Sequence, residues 1–368
     1  MASFQKRGKL WEYRINRIVN GVRRPIQKGG FITKKEAQVA ATEIENKLNK
    51  GIAPHLKLEP LDEYFENWIE IFKPDIAKNT KARYLNTLET LRERFAGVPL
   101  QHITKRTYQS FLNDYGATRS KETVRKLNTH VRACVKDAIE EGIIHVDFTR
   151  SVSMSGGKVS KSSVEKHLSF VDSERLINKI TERLSSTSSF LILLALSSGL
   201  RFAELVGLTR KDFDFDKNEL KVTKTWGYTN KMHEGFGPTK NPQSVRTIKI
   251  DQNTMSIFKT HFSENRDNRY GLVFYSSESK YKVISNNAVN KLLEQMLEAL
   301  KIQTISVHGL RHTHASILLY KGVSIYYVSE RLGHGDIETT MSYYAHIIKE
   351  LRERDEQSTT QVFESLIK

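Results

Sequence analysis

Apolar and polar positions alternate near the start of the chain, as they do in β-strands. In "LWEYRINRI", Trp11, Tyr13 and Ile15 share one side, and polar or charged residues occupy the other. The pair Asn20-Gly21 is a strong signal for a tight turn, which would join this strand to "VRRPIQK". The pattern therefore predicts a β-hairpin near the start of the chain.

A helix is predicted to follow this hairpin. Gly29-Gly30 indicates a turn toward Phe31, and Thr33 stands three residues before Glu36, which is the spacing of a capping box. The apolar residues of "AQVAATEIENKL" then recur with helical period. Residues 1–54 are thus predicted to form a small sheet with one helix.

From residue 60 the apolar positions keep the period of an α-helix through four segments. The segments are "LDEYFENWIEIF", "TKARYLNTLETLRERF", "TKRTYQSFLNDY" and "SKETVRKLNTHVRACVKDAIEEG". Asn79-Thr80 is the predicted cap of the second helix, and Gly142 the predicted end of the fourth. Cys134 lies in an apolar stretch and is expected to be buried. We predict a helical bundle over residues 60–155, followed by the flexible linker "SVSMSGGKVSKSS".

Residues 165–368 mix both periods. "LSFVDSERLINKI" predicts a helix capped by Asp172 or Ser173, and "ELKVTKTW" and "SVRTIKI" predict two strands. Ser306 is the predicted cap of a helix that runs to about Tyr320. The predicted fold class is multidomain, mainly α with small β elements: a sheet with one helix, a helical bundle and a mixed α+β domain.

The net charge of the chain indicates what kind of partner it binds. The chain has 368 residues, with 58 Lys and Arg against 42 Asp and Glu, which gives a net charge of +16. Residues 1–50 carry 12 basic and 4 acidic residues, so half of the excess lies there. Such a balance favours a polyanion, most often nucleic acid, over a merely basic enzyme.

The cysteine count and the lengths of the apolar runs exclude several classes of protein. The single cysteine, Cys134, excludes an internal disulfide and a metal site built from cysteines. The longest apolar run, residues 190–196, is too short to cross a bilayer, and no signal peptide is visible. We expect a soluble cytoplasmic protein without a membrane partner.

The segment "SSGLRFAELVGL" places an arginine at the start of a helix. Gly199 would end a buried helix, and Arg201 would lie where helix N–H groups favour an anion. Glu204 could support its guanidinium, or the two could form an ordinary surface ion pair. Farther on, Lys240 lies on the loop between the two predicted strands and could reach into a groove.

The segment "SVHGLRHTHAS" places His308 and Arg311 on one helix face, where an anion between them would offset their charge. A zinc site at His308 and His312 is disfavoured, because Gly309 replaces the glutamate that such a helix needs. His312 and His314 are expected to be structural, and no metal or other cofactor is predicted.

The last predicted helix follows "LGH", in which Gly333 ends one helix and exposes His334. Ile337, Met341, Tyr344 and Ile348 fall on one stripe, which should face the protein. Tyr343 is rotated by about 100° from this stripe. Tyr344 is therefore the inward tyrosine, and on this local evidence a core residue.

Together these groups suit phosphodiester chemistry. Paired guanidinium groups bind the non-bridging oxygens of a phosphodiester, and a tyrosine hydroxyl can attack phosphorus. Fixed cations could carry the developing charge without a metal ion.

The motifs "GLRFAEL", "HGLRHTHAS", "LGH" and "TTMSYYAH", in this order, resemble the tyrosine recombinases, the phage-type integrases. The resemblance extends over the chain, with residues 1–54 similar to an arm-site DNA-binding domain, 60–155 to a core-binding SAM-like domain, and 165–368 to the catalytic domain.

The resemblance implies a role for each candidate residue. Arg201 and Arg311 would bind the scissile phosphate, Lys240 would protonate the departing 5′ oxygen, and Tyr344 would form a 3′-phosphotyrosyl link. His308 would assist proton transfer and His334 would hydrogen-bond the phosphate. Lys224 and Lys231 remain alternatives to Lys240, and Tyr343 an alternative to Tyr344.

The resemblance also implies the partners. A homotetramer would act on double-stranded attachment DNA, at core and arm sites, and exchange strands through a Holliday junction to integrate and excise a mobile element or prophage. An excisionase and a DNA-bending host protein are compatible partners. The C-terminal tail is expected to contribute contacts between protomers. The alternatives are an inactive DNA-binding regulator, a type IB topoisomerase and a metallonuclease.

Overall fold

The computed structural model describes residues 2–16, 18–19, 22–23, 25–49, 58–159, 167–182, 184–338, 340–342, 344 and 352–366. They belong to two compact units, Met1–Ser160 and Lys161–Lys368. No helix within these ranges is long and apolar enough to cross a membrane.

The first unit begins with an antiparallel sheet of order β1-β2-β5. Its strands are β1 (Ala2–Arg7), β2 (Leu10–Ile15) and β5 (Ile26–Phe31), and β3 (Ile18–Val19) pairs with β4 (Val22–Arg23) as a separate two-stranded ladder. Helix α1 (Lys34–Asn49) packs on the sheet, where Tyr13, Ile15 and Ala41 are buried. The side of β2 that the sequence predicts to be apolar therefore faces the interior.

The sheet differs from the prediction in two places. Strand β1 was not predicted, because its residues are mostly exposed and mask the alternation. Gly29-Gly30 lies inside β5 rather than in a turn, and Gly30 (φ +97°) stands where the pairing with Trp11 and Glu12 shifts register, as in a β-bulge. The predicted turn at Asn20-Gly21 lies outside the described residues.

The capping box before α1 is confirmed with one change of partner. The Glu36 N–H donates to Thr33 Oγ1 at 3.2 Å, as predicted. The Glu36 carboxylate accepts from the Ile32 N–H at 3.0 Å, one residue before the expected position. Two backbone donors at the helix start are satisfied in this way.

All four predicted helices of the next segment are present, as α2 (Leu61–Phe72), α3 (Lys78–Phe95), α4 (Lys105–Gly116) and α5 (Lys121–Glu140). Their apolar faces share one core, in which Cys134 is fully buried as predicted. Gly142 follows the end of α5 with φ +75°, also as predicted. The predicted cap Asn79-Thr80 was wrong, because the Ala77 carbonyl already accepts from Thr80 and Lys81 and so starts α3 earlier.

The second unit is built around α7 (Thr187–Ser198), ten of whose twelve residues are buried. Further helices of this unit are α6 (Phe170–Thr181), α8 (Phe202–Leu205), α9 (Gln252–Glu264), α10 (Asn286–Ala299), α11 (Val307–Tyr320), α12 (Ile325–Leu332) and a helix at Arg352–Leu366. Tyr344 lies on a helical segment between α12 and the helix at Arg352–Leu366. A helix without a polar face must be surrounded, and α9, α10 and α11 pack against α7.

A small antiparallel sheet of order β10-β7-β6 lies beside these helices. Its strands are β6 (Phe213–Asp214), β7 (Glu219–Val222) and β10 (Arg246–Lys249). The two strands predicted from sequence are thus paired neighbours, and their long connection carries its own ladder of β8 (Thr225–Trp226) and β9 (Phe236–Gly237). The fold class, mainly α with small sheets, is confirmed.

The start of α6 corrects a predicted cap. Ser169, not Asp172 or Ser173, is the cap, because its Oγ accepts from the Asp172 N–H at 3.1 Å. The Ser169 hydroxyl also donates to the Asp172 carboxylate at 2.7 Å. Asp172 therefore lies in the first turn, where a negative charge stabilises the helix dipole. Ser306 caps α11 as predicted, accepting from the Gly309 N–H at 3.3 Å.

Candidate active site

Arg201 lies at a sharp turn between α7 and α8. Gly199 ends α7 with φ +69°, and a Cβ atom there would stand 2.7 Å from the His314 ring. The position therefore requires glycine for its backbone and for the close approach. Just beyond the turn, Arg201 Nη2 donates to the Gly333 carbonyl at 2.9 Å. The turn thus fixes the guanidinium beside the end of α12.

Glu204 pairs with Arg201 from the interior of the protein. Arg201 Nη1 donates to Glu204 Oε1 at 2.7 Å, and Arg246 Nη2 donates to Oε2 at 3.1 Å. Only 1% of Glu204 is exposed. Burial alone would raise the pKa of this carboxyl, but Arg246 and Arg201 outweigh it and lower the pKa. The supporting role predicted for Glu204 is confirmed, and the surface ion pair was wrong.

Arg311 projects into the same region from α11 and is 3% exposed. Its Nη1 and Nη2 donate to the carbonyls of Gly199 and Leu332, each at 2.9 Å. Within the described ranges, Arg311 forms no ion pair with a carboxylate. Burial, with Arg201 nearby, lowers its pKa to about 9, so it stays charged at neutral pH. A buried cation paired only with carbonyls favours an anionic ligand.

Two histidines stand beside these arginines in their neutral form. The His308 side chain is exposed. Partial loss of hydration nevertheless lowers its pKa, and the positive charges of Arg311 and Arg201 lower it further. Burial, with the same two arginines, lowers the pKa of His334 to about 3. His334 Nδ1 lies 2.7 Å from Thr340 Oγ1, which fixes the ring. Neutral imidazoles can donate one hydrogen bond and accept one proton.

Tyr344 is 2% exposed and points inward, as predicted from its position on the last helix. Its ring belongs to a cluster with Ala315, Leu319, Val328 and Leu332. Its hydroxyl is not enclosed by apolar groups alone, since Oη lies 3.0 Å from a ring nitrogen on α11.

That nitrogen is Nδ1 of His312. The prediction that His312 is structural was therefore incomplete, because the residue contacts the candidate nucleophile. His314 is structural as predicted: its Nδ1 lies 2.8 Å from the Leu196 carbonyl, and its Nε2 accepts from Arg331 Nε at 2.9 Å. Position next to Arg311 was the one signal in the sequence that set His312 apart.

The stripe predicted for the helix that carries Tyr344 was wrong in one position. Met341 is 46% exposed, whereas Thr340 is fully buried and lies one turn before Tyr344. The inner face is therefore polar at Thr340, where the hydroxyl contacts His334. Tyr343, His346 and Ile348 lie outside the described residues.

The loop that carries Lys240 is tied to Arg201. Ser244 is fully buried, and its Oγ accepts from Arg201 Nη1 at 3.0 Å and donates to Asn241 Oδ1. Lys240 precedes Asn241 and is exposed. Lys224 is occupied elsewhere, since its Nζ lies 2.6 Å from the Asp212 carboxylate. Of these two lysines, Lys224 is therefore tied to a carboxylate, whereas Lys240 is exposed.

The described residues contain no group of three or more His, Cys, Asp or Glu that could hold a metal ion. Arg201 and Arg311 supply positive charge near the Tyr344 hydroxyl, and this arrangement suits a singly charged phosphodiester.

Three family models match the chain. That of the "Phage integrase family" matches residues 166–350, half of the chain. "Arm DNA-binding domain" matches residues 3–48, and "Phage integrase, N-terminal SAM-like domain" matches residues 61–115. The first match contains every candidate residue of the site.

Similar proteins share most of this length. "Tyrosine recombinase XerC-like" of Caldanaerobacter subterraneus subsp. tengcongensis is 27% identical, over 86% of this chain and 86% of its own. "Integrase" of Staphylococcus phage L54a is 23% identical, over 85% of this chain and 96% of its own.

Solved structures share the fold. The Tn1549 transposon integrase in complex with a circular intermediate DNA has a TM-score of 0.68 at 17% identity, covering 80% of this chain and 99% of that one. A lambda integrase tetramer bound to a Holliday junction has a TM-score of 0.54 at 16% identity, covering 90% and 94%.

Proposed function

Because the chain belongs to the phage integrase family, the site-specific DNA recombinases with a tyrosine nucleophile, we propose that Tyr344 attacks the scissile phosphate and forms a 3′-phosphotyrosyl ester. The ester keeps the energy of the broken bond, so a second attack can rejoin the strands without ATP. The reaction would proceed on attachment-site DNA through a Holliday junction.

One observation carries the proposal: a buried guanidinium with carbonyl partners stands near a buried tyrosine hydroxyl. Arg311 donates to two carbonyls, and its neighbour in sequence, His312, lies 3.0 Å from the Tyr344 hydroxyl. A phosphate bound by Arg311 and Arg201 would supply the missing counter-charge and lie within reach of the hydroxyl. Fixed guanidinium groups stabilise the extra negative charge of the transition state without reorganising.

The other candidate residues have complementary roles in the proposal. Lys240 would protonate the departing 5′ oxygen, since its loop is exposed and attached to Arg201 through Ser244. His334 would donate a hydrogen bond to the phosphate, and His308 would assist proton transfer. Both histidines have lowered pKa values, so they are neutral near pH 7 and can hydrogen-bond the phosphate or its neighbours without adding positive charge.

We further propose that the three matched segments divide the work of DNA binding. Residues 1–54, with half of the net positive charge, would bind arm sites, and residues 60–155 would bind the core site on which the catalytic domain, 165–368, acts. Affinity from such charge falls steeply with salt. The tetramer described for lambda integrase supports a homotetramer here, with protomer contacts from the helix at Arg352–Leu366.

The biological setting follows from the relatives. An integrase of a Staphylococcus phage supports integration and excision of a mobile element or prophage in the bacterial cytoplasm. An excisionase and a DNA-bending host protein would then control whether the element is integrated or excised. Deleting residues 352–368 should weaken tetrameric synapses, and normal synapses would contradict the role of this helix.

The test is covalent trapping on attachment-site DNA with a nick beside the cleavage point, so that the cleaved end is lost. The wild type should give a protein–DNA band that survives denaturation and EDTA and is absent in Tyr344→Phe. Tyr343→Phe is the matched control and should retain the band. Loss only in Tyr343→Phe would move the nucleophile by one residue. No band from wild type on DNA that it binds would indicate an inactive regulator.

A further inference from the structure

We propose that His312 is a further catalytic residue, which holds the Tyr344 hydroxyl and accepts its proton as the tyrosine attacks phosphorus. The inference rests on the proposed role of Tyr344 as nucleophile. His312 would accept the proton of the attacking Tyr344 hydroxyl, whereas Lys240 would donate a proton to the departing 5′ oxygen.

The geometry places His312 at the reacting atom. His312 Nδ1 and Tyr344 Oη are 3.0 Å apart, within the range for a proton transfer along a hydrogen bond. The two ring centroids are 6.0 Å apart, with 56° between the ring planes, so the contact is made by the polar edges and not by stacking. The residues are 32 positions apart in sequence, on separate helical segments.

Burial of Tyr344 limits which groups can accept the proton of its hydroxyl. Tyr344 is 2% exposed, and apolar side chains of α11 and α12 surround its ring. Bulk water is therefore not the ready acceptor for its proton. A phenol attacks well only as it loses that proton, and its ordinary pKa near 10 leaves it protonated at neutral pH. A base within the protein is needed at Oη, and His312 is located there.

The position of His312 on α11 links this base to phosphate binding. His312 directly follows Arg311, which donates to the carbonyls of Gly199 and Leu332 and is thereby fixed. The edge of one ring of the His308–His312 pair meets the face of the other, with centroids 5.0 Å apart. Three groups with different tasks thus occupy positions i, i+3 and i+4 of one helix face.

Charge makes the base dependent on DNA. Arg201 and Arg311 oppose a further positive charge in this region, as their effect on the pKa values of His308 and His334 illustrates. A phosphate bound between them offsets that repulsion. Proton transfer to His312 therefore becomes favourable when the scissile phosphate is in place, and Tyr344 stays protonated on the free enzyme.

The step balances in both directions. During cleavage the Tyr344 O–H bond breaks and its proton moves to Nδ1 of His312, whose Nε2 carries the hydrogen of the neutral tautomer. The Oη–P bond forms, the P–O5′ bond breaks, and Lys240 gives its proton to the 5′ oxygen. During rejoining the 5′ hydroxyl attacks phosphorus and gives its proton back to Lys240. The P–O5′ bond forms, the Oη–P bond breaks, and His312 returns its proton to the departing Tyr344 oxygen.

The test uses single-turnover cleavage of the nicked attachment-site DNA by the full chain. His312→Ala should slow covalent-complex formation by about 100- to 10,000-fold, the range for loss of a general base. His312→Asn places an amide near the Nδ1 position but has no comparable basicity, so it should stay slow. Recovery to near wild-type rate in His312→Asn would reduce His312 to a positioning residue and overturn the proton transfer.

A second readout separates chemistry from folding. A fluorinated tyrosine at position 344 has a more acidic phenol, so it should restore much of the rate in His312→Ala but change wild type little. A DNA with sulfur at the 5′ bridging position needs no acid for its leaving group, so it should rescue Lys240→Ala and not His312→Ala. Failure of the fluorinated tyrosine to rescue, in a folded variant that binds DNA, would overturn the inference.

Matched variants distinguish this inference from the proposed function. His145→Ala, an exposed histidine in the other unit, should cleave at the wild-type rate. If wild type forms the covalent complex, Tyr344→Phe does not, and His312→Ala cleaves normally, the role of His312 is refuted and that of Tyr344 stands. If Tyr344→Phe keeps the covalent complex, the proposed function fails and the inference fails with it.

Discussion

The Ser244 hydroxyl accepts a hydrogen bond from Arg201 Nη1 at 3.0 Å, although 43 residues separate the two in sequence. The same hydroxyl donates to Asn241, the neighbour of Lys240. One buried hydroxyl thus links the loop of the proposed acid to the proposed phosphate-binding arginine.

Ser244→Ala should therefore slow cleavage without abolishing it. A hydrogen bond to a charged group contributes about 1.5–3 kcal/mol, so the loss should be about 10- to 100-fold in the single-turnover rate. Ser263→Ala, which removes an exposed hydroxyl bonded within α9, is the control. An unchanged rate in Ser244→Ala would show that the loop is positioned by other contacts.

Glu204→Gln should destabilise the catalytic unit more than it alters DNA binding. Arg246 is buried and pairs with Glu204 at 3.1 Å, so a neutral partner leaves its charge uncompensated. Breaking a buried pair in this way costs about 3–5 kcal/mol. Urea unfolding monitored by fluorescence would measure the loss, with the exposed Glu294→Gln as control. Equal stability of both variants would contradict the buried pair.

Acid should unfold the protein partly through His314. Burial, with Arg331 nearby, lowers its folded-state pKa to about 3, from an ordinary value of 6.5. The unfolded chain then binds the extra proton, so stability is full above pH 6.5 and is lost as the pH falls toward 3. One such group costs about 1.4 kcal/mol per pH unit, or about 2 kcal/mol between pH 6.5 and 5.

Urea unfolding of wild type and His314→Asn at pH 7.5, 6 and 5 would measure this dependence. The slope of the unfolding free energy against pH should be smaller in the variant than in wild type, by the amount that corresponds to about one bound proton. An identical slope in both proteins would show that His314 takes up its proton without unfolding.

Cys134 should report unfolding of the helical bundle. It is the one cysteine of the chain, is fully buried, and burial raises its thiol pKa. Because the thiolate is the reactive form, labelling requires opening of the bundle. We expect a thiol reagent to label native protein at least about 1,000-fold more slowly than protein in urea, given ordinary domain stabilities. Comparable rates would contradict the buried position, and Cys134→Ser controls for other reactions.

Local patterns located many elements in advance. The predicted α2, Leu61–Phe72, has the bounds found in the structure, because its apolar residues keep helical period and pack on one core. Helix starts were less certain. Ser169 and Ala77 begin α6 and α3 earlier than the predicted caps, because several polar residues near each start could have served.

The sequence by itself determined the order and spacing of the candidate groups, the inward face of Tyr344 and the excess of positive charge. Each is a property of nearby residues or of composition. Tertiary structure alone decided that His312 meets Tyr344, that Ser244 meets Arg201, and that Thr340 rather than Met341 faces inward. Periodicity specifies a face of one helix, whereas the partner across that face depends on how distant segments pack.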